Sequence, residues 1–278
     1  YRLEPNTNQT RELDIALETH RRLYNDCLAQ RKESYQTVKR GIKYVEQSAR
    51  FTLDRKVNTY YARLNFSSAQ ATMHNLDKAF KAFFRRVKAG EKPGYPRFKA
   101  RDRFDSITFP SIGDGARIIG NKLRLQHIGL VRINLHRPLE GVVKTLNIKR
   151  QAGKWYMTAM CELSDVALIE TCKPSVGIDV GLESFLTTSE GEHISSIQPM
   201  KPNLRKLRVA QRSLSRKKKG SSGRAKQRRA VARLHLKVSN TRKDTHHKIA
   251  VDLISRYGAF VVESLNIQGI LKNHRLAR

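Results

Sequence analysis

The chain has 278 residues, room for one large domain or two to three smaller ones, each burying its own core. Lys and Arg number 55 against 24 Asp and Glu, a formal net charge of +31 that calls for a polyanionic partner, and nucleic acid is the usual one. No apolar run approaches bilayer length, which removes a membrane-spanning helix, and Cys27, Cys161 and Cys172 form no C-x-x-C pair, which removes a disulfide framework and a zinc site and points to a reducing intracellular setting.

Tyr1-Arg2-Leu3 reads as an edge strand. After Pro5, a cap at Thr7 or Asn8 starts a helix that runs to about residue 38, with Leu13, Leu17, Tyr24 and Leu28 on one face. A polar connection at Gly41 leads to a second, weaker helical stretch over about 44 to 62. From Phe66 the residues Ala69, Met73, Leu76, Phe80, Phe83 and Val87 alternate spacings of three and four, a core seam closed by Gly90. The opposite face carries Lys78, Lys81, Arg85 and Lys88, and the next loop reads Lys92-Pro93-Gly94-Tyr95-Pro96-Arg97-Phe98-Lys99. Cations interleaved with rings suit phosphate contact by Lys92, Arg97 and Lys99 with base or ribose stacking on the rings, Tyr95 foremost. A solvated face followed by a rigid proline turn is the plainer account of the same residues.

Between about 104 and 164 the pattern changes to short alternating strands: Ile107-Phe109, Arg117-Ile119, Leu123-Leu125, Leu130-Ile133, Val142-Ile148 and Trp155-Cys161. Gly120-Asn121 and Ala152-Gly153 are hairpin turns. A small antiparallel barrel or curled sheet fits, with Lys144, Lys149, Arg150 and Lys154 on its polar side. Ser164 to Pro174 reads as a linker.

Ser175-Val176-Gly177-Ile178-Asp179-Val180-Gly181-Leu182 then sets apolar residues around one acid, a buried strand that delivers Asp179 into a glycine turn. An isolated motif of this kind is equally a strand-end cap or a metal ligand. Ser184-Thr188 and the turn at Ser189-Glu190-Gly191-Glu192 complete a hairpin. From Lys201 to Lys243 there are 17 Lys plus Arg and no Asp or Glu, a run that lies against phosphates or stays disordered. Leu204, Leu207 and Leu214, then Val231, Leu234 and Val238, keep helical spacing, so two helices are expected. Arg205, Arg212, Arg216, Lys217, Lys218, Arg228 and Arg242 are the candidate phosphate contacts, and residues 215–223 are the loop, as much a solvated linker as a contact. A further helix over Asp244 to Tyr257, closed by Gly258, precedes a buried strand, Ala259 to Leu265, that presents Glu263.

Two strands ending in lone carboxylates, in a stretch otherwise stripped of acid, carry more than either alone. Cleaving a phosphodiester in line needs a deprotonated water and a stabilised leaving oxyanion, which divalent ions on carboxylates supply. Such sites usually want a third acid, and Glu183, Asp244 and Asp252 are candidates by type.

In order along the chain, these residues resemble the TnpB family of transposon proteins, relatives of the type V CRISPR effector nucleases. Tyr1-Arg2-Leu3-Glu4-Pro5 resembles the family's opening strand, Gly94-Tyr95-Pro96-Arg97-Phe98-Lys99 its G-[FY]-P-R-F-[KR] segment, and Val176-Gly177-Ile178-Asp179-Val180-Gly181 its first RuvC motif. Leu214-Ser215-Arg216-Lys217-Lys218-Lys219-Gly220 is similar to its L-S-R-[RK]-K-K-G, Val262-Glu263-Ser264-Leu265 to its second RuvC motif, and Asn273-His274-Arg275-Leu276-Ala277 to the sequence that follows.

The resemblance implies a multi-domain α+β fold: a helical recognition lobe, a small antiparallel wedge barrel and an RNase H-like α/β RuvC nuclease domain. Its layout puts the opening strand of the wedge at 1–7, the recognition lobe at 8–91, the wedge barrel at 92–172 and an incomplete nuclease domain at 173–278, with a basic helical insertion over 201–257. It implies an RNA-guided DNA endonuclease of an insertion-sequence transposon that binds a guide RNA from the transposon end, one protein per RNA, and cuts double-stranded target DNA beside a short flanking motif. Asp179 and Glu263 match the first two RuvC acids and would hold Mg²⁺; Tyr44, Gln70 and Thr108 fall where the flanking motif is read. The expected setting is a prokaryotic cytoplasm, at the nucleoid when DNA is bound, with no membrane partner. The family's zinc ribbon of paired C-x-x-C motifs and its third catalytic Asp lie downstream of where this chain stops, and both ends of the chain read as cuts. A nuclease-dead, RNA-guided repressor of the same descent is the alternative.

Overall fold

The computed structural model describes residues 1–164, 173–181, 184–195 and 200–265. Most of the expected linker, Cys172, Leu182, the third-acid candidate Glu183 and the closing motif at 273–277 lie outside the described residues. The chain divides into two compact units, residues 1–166 and 167–278.

In the first unit, strand β1 (Arg2–Glu4) leads into helix α1 (Thr7–Val38). The cap is Asn6 rather than Thr7 or Asn8: its side chain accepts from the Gln9 N–H while the Gln9 side chain accepts from the Asn6 N–H, a reciprocal box that fixes the first turn directly after Pro5. The weaker helical stretch is two helices, α2 (Tyr44–Val57) and α3 (Thr59–Ala62), divided at Asn58, whose side chain accepts from the Tyr60 and Tyr61 N–H groups and so restarts the helix. Helix α4 (Phe66–Lys88) is capped by Asn65. Its seam is buried through Ala69, Met73 and Leu76, where it meets Leu23, Cys27 and Leu28 of α1 and Phe51 of α2. Beyond Leu76 the seam opens: Phe80 and Phe83 are half-buried against Tyr95, and Val87 is exposed, against expectation, because among the described residues no helix or strand covers the last turns of α4.

Two polar joints lock these helices. His20 of α1 sits between Thr72 (Nδ1 to Oγ1, 2.9 Å) and Ser68 (Nε2 to Oγ, 3.3 Å) of α4, and full burial pushes its pKa down to about 3. Arg31 donates through Nε to Gln47 (2.8 Å) and through both terminal nitrogens to Asp77 (3.3 Å), with Phe80 packed on its guanidinium.

The six expected strands all form: β2 (Ser106–Phe109), β3 (Ala116–Ile119), β4 (Lys122–Leu125), β5 (Gly129–Asn134), β6 (Val142–Gln151) and β7 (Lys154–Glu162). With β1 they make one antiparallel, barrel-like sheet in the order β2-β6-β7-β1-β5-β4-β3. β1 is therefore the central strand and not an edge: Leu3, 2% exposed, is flanked by Ile133 on β5 and Trp155 on β7. The β6–β7 turn is the Ala152-Gly153 pair at φ +50° and +81°, the left-handed geometry that matches strand twist. Inward residues Ile107, Leu123, Leu125, Val131, Ile133, Leu146, Ile148, Trp155 and Met157 share one core, onto which Leu13 and Leu17 of α1 close. Helix α1 thus serves the barrel core with its first turns and the helical core with the rest.

The second unit holds a mixed sheet of β8 (Ser175–Asp179), β9 (Ser184–Thr188), β10 (His193–Ser195) and β11 (Ala259–Val262), in the order β10-β9-β8-β11. β8, β9 and β10 are antiparallel neighbours, whereas β11 runs parallel to β8. Helix α5 (Met200–Arg216) and helix α6 (Ser222–Arg256) connect them. The break expected at Asp244 is absent, since Arg224 to Arg256 contains neither Gly nor Pro, and α6 runs uninterrupted for 35 residues, about 50 Å. It ends at Tyr257, already extended, and the Gly258 N–H donates to the Pro174 carbonyl rather than forming a left-handed cap. Val176 and Leu186 pack on Leu253 and Tyr257 of α6. β11 corrects a second expectation: it is exposed along its length, Val262 to 65%, because among the described residues its outer edge has no neighbouring strand.

Candidate active site and nucleic-acid interface

The parallel register pairs Ser175 with Ala259 and runs unbroken to Ile178 with Val262. Asp179 ends β8 and Glu263 directly follows the last residue of β11, so each comes one residue after this final pair. Neighbouring strands lie about 4.8 Å apart, so the two backbones that carry these acids leave the sheet side by side. The face follows from the core, because Val176, Ile178 and Leu186 take the α6 side and leave Asp179 on the other. Between β8 and β9 the Gly177 N–H donates to Ser189 Oγ (3.0 Å) and the Ser189 N–H to the Gly177 carbonyl (2.9 Å), fixing the strand just before the acid. Across β9, Asp179 faces Thr187, whose Oγ1 lies 3.1 Å from His193 Nδ1 on β10.

Both acids are exposed, and among the described residues neither pairs with a cation. The other acids of this unit differ. Asp244 is bridged to Lys248 (2.8 Å), Asp252 and Glu192 to Arg256 (2.6 and 2.7 Å), and Glu190 accepts from the Tyr257 hydroxyl (2.5 Å). Of the third-acid candidates, Asp244 and Asp252 are thus engaged on α6. Two carboxylates about 5 Å apart repel by about 1 kcal/mol in bulk water and about 3 kcal/mol at an effective dielectric of 20. A hard divalent cation relieves that repulsion, and two oxygen donors with open positions fit Mg²⁺, which keeps waters and phosphate oxygens in its shell. Among the described residues no group of three or more His, Cys, Asp and Glu is placed to hold a metal.

The expected nucleic-acid contacts divide into presented and engaged side chains. Lys78, Lys81 and Arg85 are exposed on α4, Lys81 in a 3.0 Å bridge to Asp77. Lys92 and Arg97 are exposed, and Tyr95 packs edge-on to Phe80 and Phe83 with its outer side in solvent. Phe98, the second ring of the loop, is 51% exposed, and Lys32, whose ammonium lies over both Tyr95 and Phe98, belongs to the same surface and was not singled out from sequence. Lys99 instead anchors the loop: its N–H donates to Asn25 Oδ1 (2.8 Å), its carbonyl accepts from Asn25 and Arg21, and its ammonium lies over Tyr24. Lys149 is bridged to Asp105 (3.3 Å), and Arg150 is held by Asp14 and stacked over Trp155, stitching β6 to α1.

In the second unit α5 and α6 form a helical hairpin with Arg205, Arg212, Arg216, Lys218, Arg228 and Arg242 at the surface. Residues 217–221 are an ordered turn rather than a loose linker: Arg224 donates to the carbonyls of Leu214 and Lys217 (2.8 and 2.9 Å), and Ser221 caps α6. Lys217 is accordingly half-buried. Tyr44 and Gln70 lie on facing sides of α2 and α4, Tyr44 stacked on His74 (3.7 Å) and Gln70 at 3.5 Å from Ser48 Oγ. His74 was missed, although Gln70, His74 and Lys78 share an i, i+4 line that helical spacing could have shown. Thr108 is on β2, opposite Asn147 and pointing away from the barrel core, on a strand that α4 packs against.

A family model described as a probable transposase, of the OrfB type in IS605 elements, matches residues 161–274. A second model of that family, described as a helix-turn-helix domain, matches residues 1–40, which here form β1 and the single helix α1. The chain is 30% identical over 283 residues to a candidate RNA-guided DNA endonuclease of Streptomyces pristinaespiralis, covering 100% of this chain and 69% of that protein. It is 28% identical over 278 residues to InsQ of Escherichia coli K12, of the same description, covering 98% and 67%. Among solved structures it is similar to a CRISPR-Cas12f ternary complex at 14% identity and a TM-score of 0.37, over 91% of this chain and 62% of that one, too distant to assign a fold. The chain spans about two thirds of the length of these relatives.

Proposed function

The chain belongs to the OrfB/IS605 family of transposon proteins, the TnpB-like RNA-guided DNA endonucleases, and from that premise we propose that Asp179 and Glu263 are two of its catalytic carboxylates. One observation carries the reading. In a chain of net charge +31, the two acids at the adjoining ends of β8 and β11 have no cationic partner among the described residues. Surplus cations would neutralise such a pair cheaply, so its exposure marks a place kept for a divalent ion.

Asp179 and Glu263 would hold Mg²⁺ in an RNase H-like, RuvC-type nuclease domain. When bound, the ion activates water and stabilises the leaving oxyanion of a phosphodiester. The chain's own residues supply the rest. The α5–α6 hairpin and the outer face of α4 lay exposed Lys and Arg along phosphates, and Tyr95 offers a ring to a base. A guide RNA from the transposon end supplies sequence discrimination by pairing, and Tyr44, Gln70 and Thr108 read a few flanking bases of double-stranded target DNA. Retention of both acids runs against a repressor that only binds, because such a protein gains nothing from an unpaired, mutually repelling pair.

Asp179→Ala and Glu263→Ala each remove Mg²⁺-dependent cutting of a guided target while leaving guide-RNA affinity and its salt dependence unchanged. Cutting that survives Asp179→Ala refutes the assignment.

A further inference from the structure

The row that carries Asp179 continues across the sheet. His193 of β10 is the cross-strand partner of Thr187 of β9, and Thr187 is the partner of Asp179 at the end of β8. Directly opposed residues point to one face, so His193, Thr187 and Asp179 form a single line over three strands, on the side turned away from the Val176–Leu253 core. One end of this line is already bonded, with Thr187 Oγ1 and His193 Nδ1 at 3.1 Å.

A threonine hydroxyl accepts one bond and donates another. With the proton on Nδ1, His193 donates to Thr187 Oγ1, which frees the hydroxyl proton for the other neighbour in the line. That neighbour is the Asp179 carboxylate, on a cross-strand partner whose Cβ is about 5 Å from that of Thr187. The His193–Thr187 bond supports no packing, since His193 and Asp179 are exposed and the core lies on the opposite face. Nor is Asp179 oriented by a cation, as Asp244, Asp252 and Glu192 are.

Resting on the reading of Asp179 as a metal ligand, we propose that Thr187 and His193 are its positioning residues. The imidazole orients the hydroxyl, and the hydroxyl holds Asp179 in the rotamer that offers an oxygen to a divalent cation. Outer groups of this kind typically contribute about 10–100-fold in metal affinity.

The test reads metal occupancy rather than turnover. The guide-bound protein is titrated with Fe²⁺ in place of Mg²⁺, peroxide is added, and hydroxyl-radical scission of the polypeptide beside Asp179 is followed by gel. Thr187→Val and His193→Ala each raise the Fe²⁺ needed for half-maximal local scission by about 10–100-fold, whereas Thr187→Ser, which keeps the hydroxyl, stays near the wild type. Asp179→Ala abolishes it. If Asp179→Ala silences the site but either Thr187→Val or His193→Ala cuts at the wild-type Fe²⁺ concentration, the positioning role is overturned and the metal site stands. If Asp179→Ala leaves scission unchanged, the metal-site reading itself falls, and the positioning role with it. Should Thr187→Val fail to fold, the exposed His193→Ala decides the matter.

Discussion

His20 makes the helical part of the first unit sensitive to mild acid. Buried between Thr72 and Ser68, it titrates at about 3 in the folded chain, against about 6.5 for an unfolded histidine. A depressed folded pKa means that the unfolded chain binds the proton the native chain refuses. The contribution to stability is full above about 6.5 and is lost as pH falls toward 3. From pH 7 to pH 5 this single group removes about 2 kcal/mol, at 1.36 kcal/mol per unit below the unfolded pKa with a small correction for its partial charge at neutrality. Glu18, held down to about 2 by the bond from Arg21, adds only about 0.2 kcal/mol in that window, because its unfolded carboxyl has begun to protonate by pH 5. Asp77 adds nothing there: burial raises it, but the bonds from Lys81 and Arg31 outweigh burial and keep it low. Trp155 is the chain's one tryptophan and lies in the barrel core of the same unit, so urea unfolding followed by its fluorescence at pH 7 and pH 5 reports the loss. His20→Gln keeps a polar group for Thr72 and Ser68 but cannot titrate, and its stability should change little over the same range. An equal drop in wild type and His20→Gln refutes the reasoning.

Gly115 stands at φ +82°, and a β-carbon added there would run into the Asn65 side chain, so Gly115→Ala combines a left-handed alanine with displacement of the α4 cap. The expected cost is about 2–4 kcal/mol, read as a lowered unfolding midpoint, and an unchanged midpoint excludes the close approach. Phe98→Ala and Tyr95→Ala should each weaken binding of a single-stranded oligonucleotide by about 1–3 kcal/mol with little change in salt dependence, the signature of stacking. Arg212→Gln and Arg242→Gln should instead flatten the slope of log affinity against log salt by about one each, and an unaltered slope removes them from the phosphate track.

The barrel strands were legible because their apolar residues alternate and their turns carry Gly-Asn and Ala-Gly. The central place of β1 was not, since its partners Ile133 and Trp155 lie more than a hundred residues away and three residues give no pattern. Asp179 and Glu263 could be named from residue type and family resemblance, but only the β8–β11 register brings the two strand ends that carry them side by side. The same register row adds Thr187 and His193, which sequence left unremarked because one lies in a strand and the other past a turn, with no motif joining them. For Arg150, which sequence presents to phosphate, the fold adds a partner that spacing could not show, Asp14 of α1.

The central position of β1 also sets an order of events during synthesis. Residues 2–4 are among the first of the described residues to leave the ribosome, yet their hydrogen-bonding partners span residues 129–162. Helices α1 to α4 can pair as they emerge, whereas the barrel cannot close until β7 has been made, which places the slow, long-range step of this unit late. Until then Leu3, Leu13 and Leu17 have no sheet to cover, and the nascent chain carries an apolar stripe through most of the translation of its first unit.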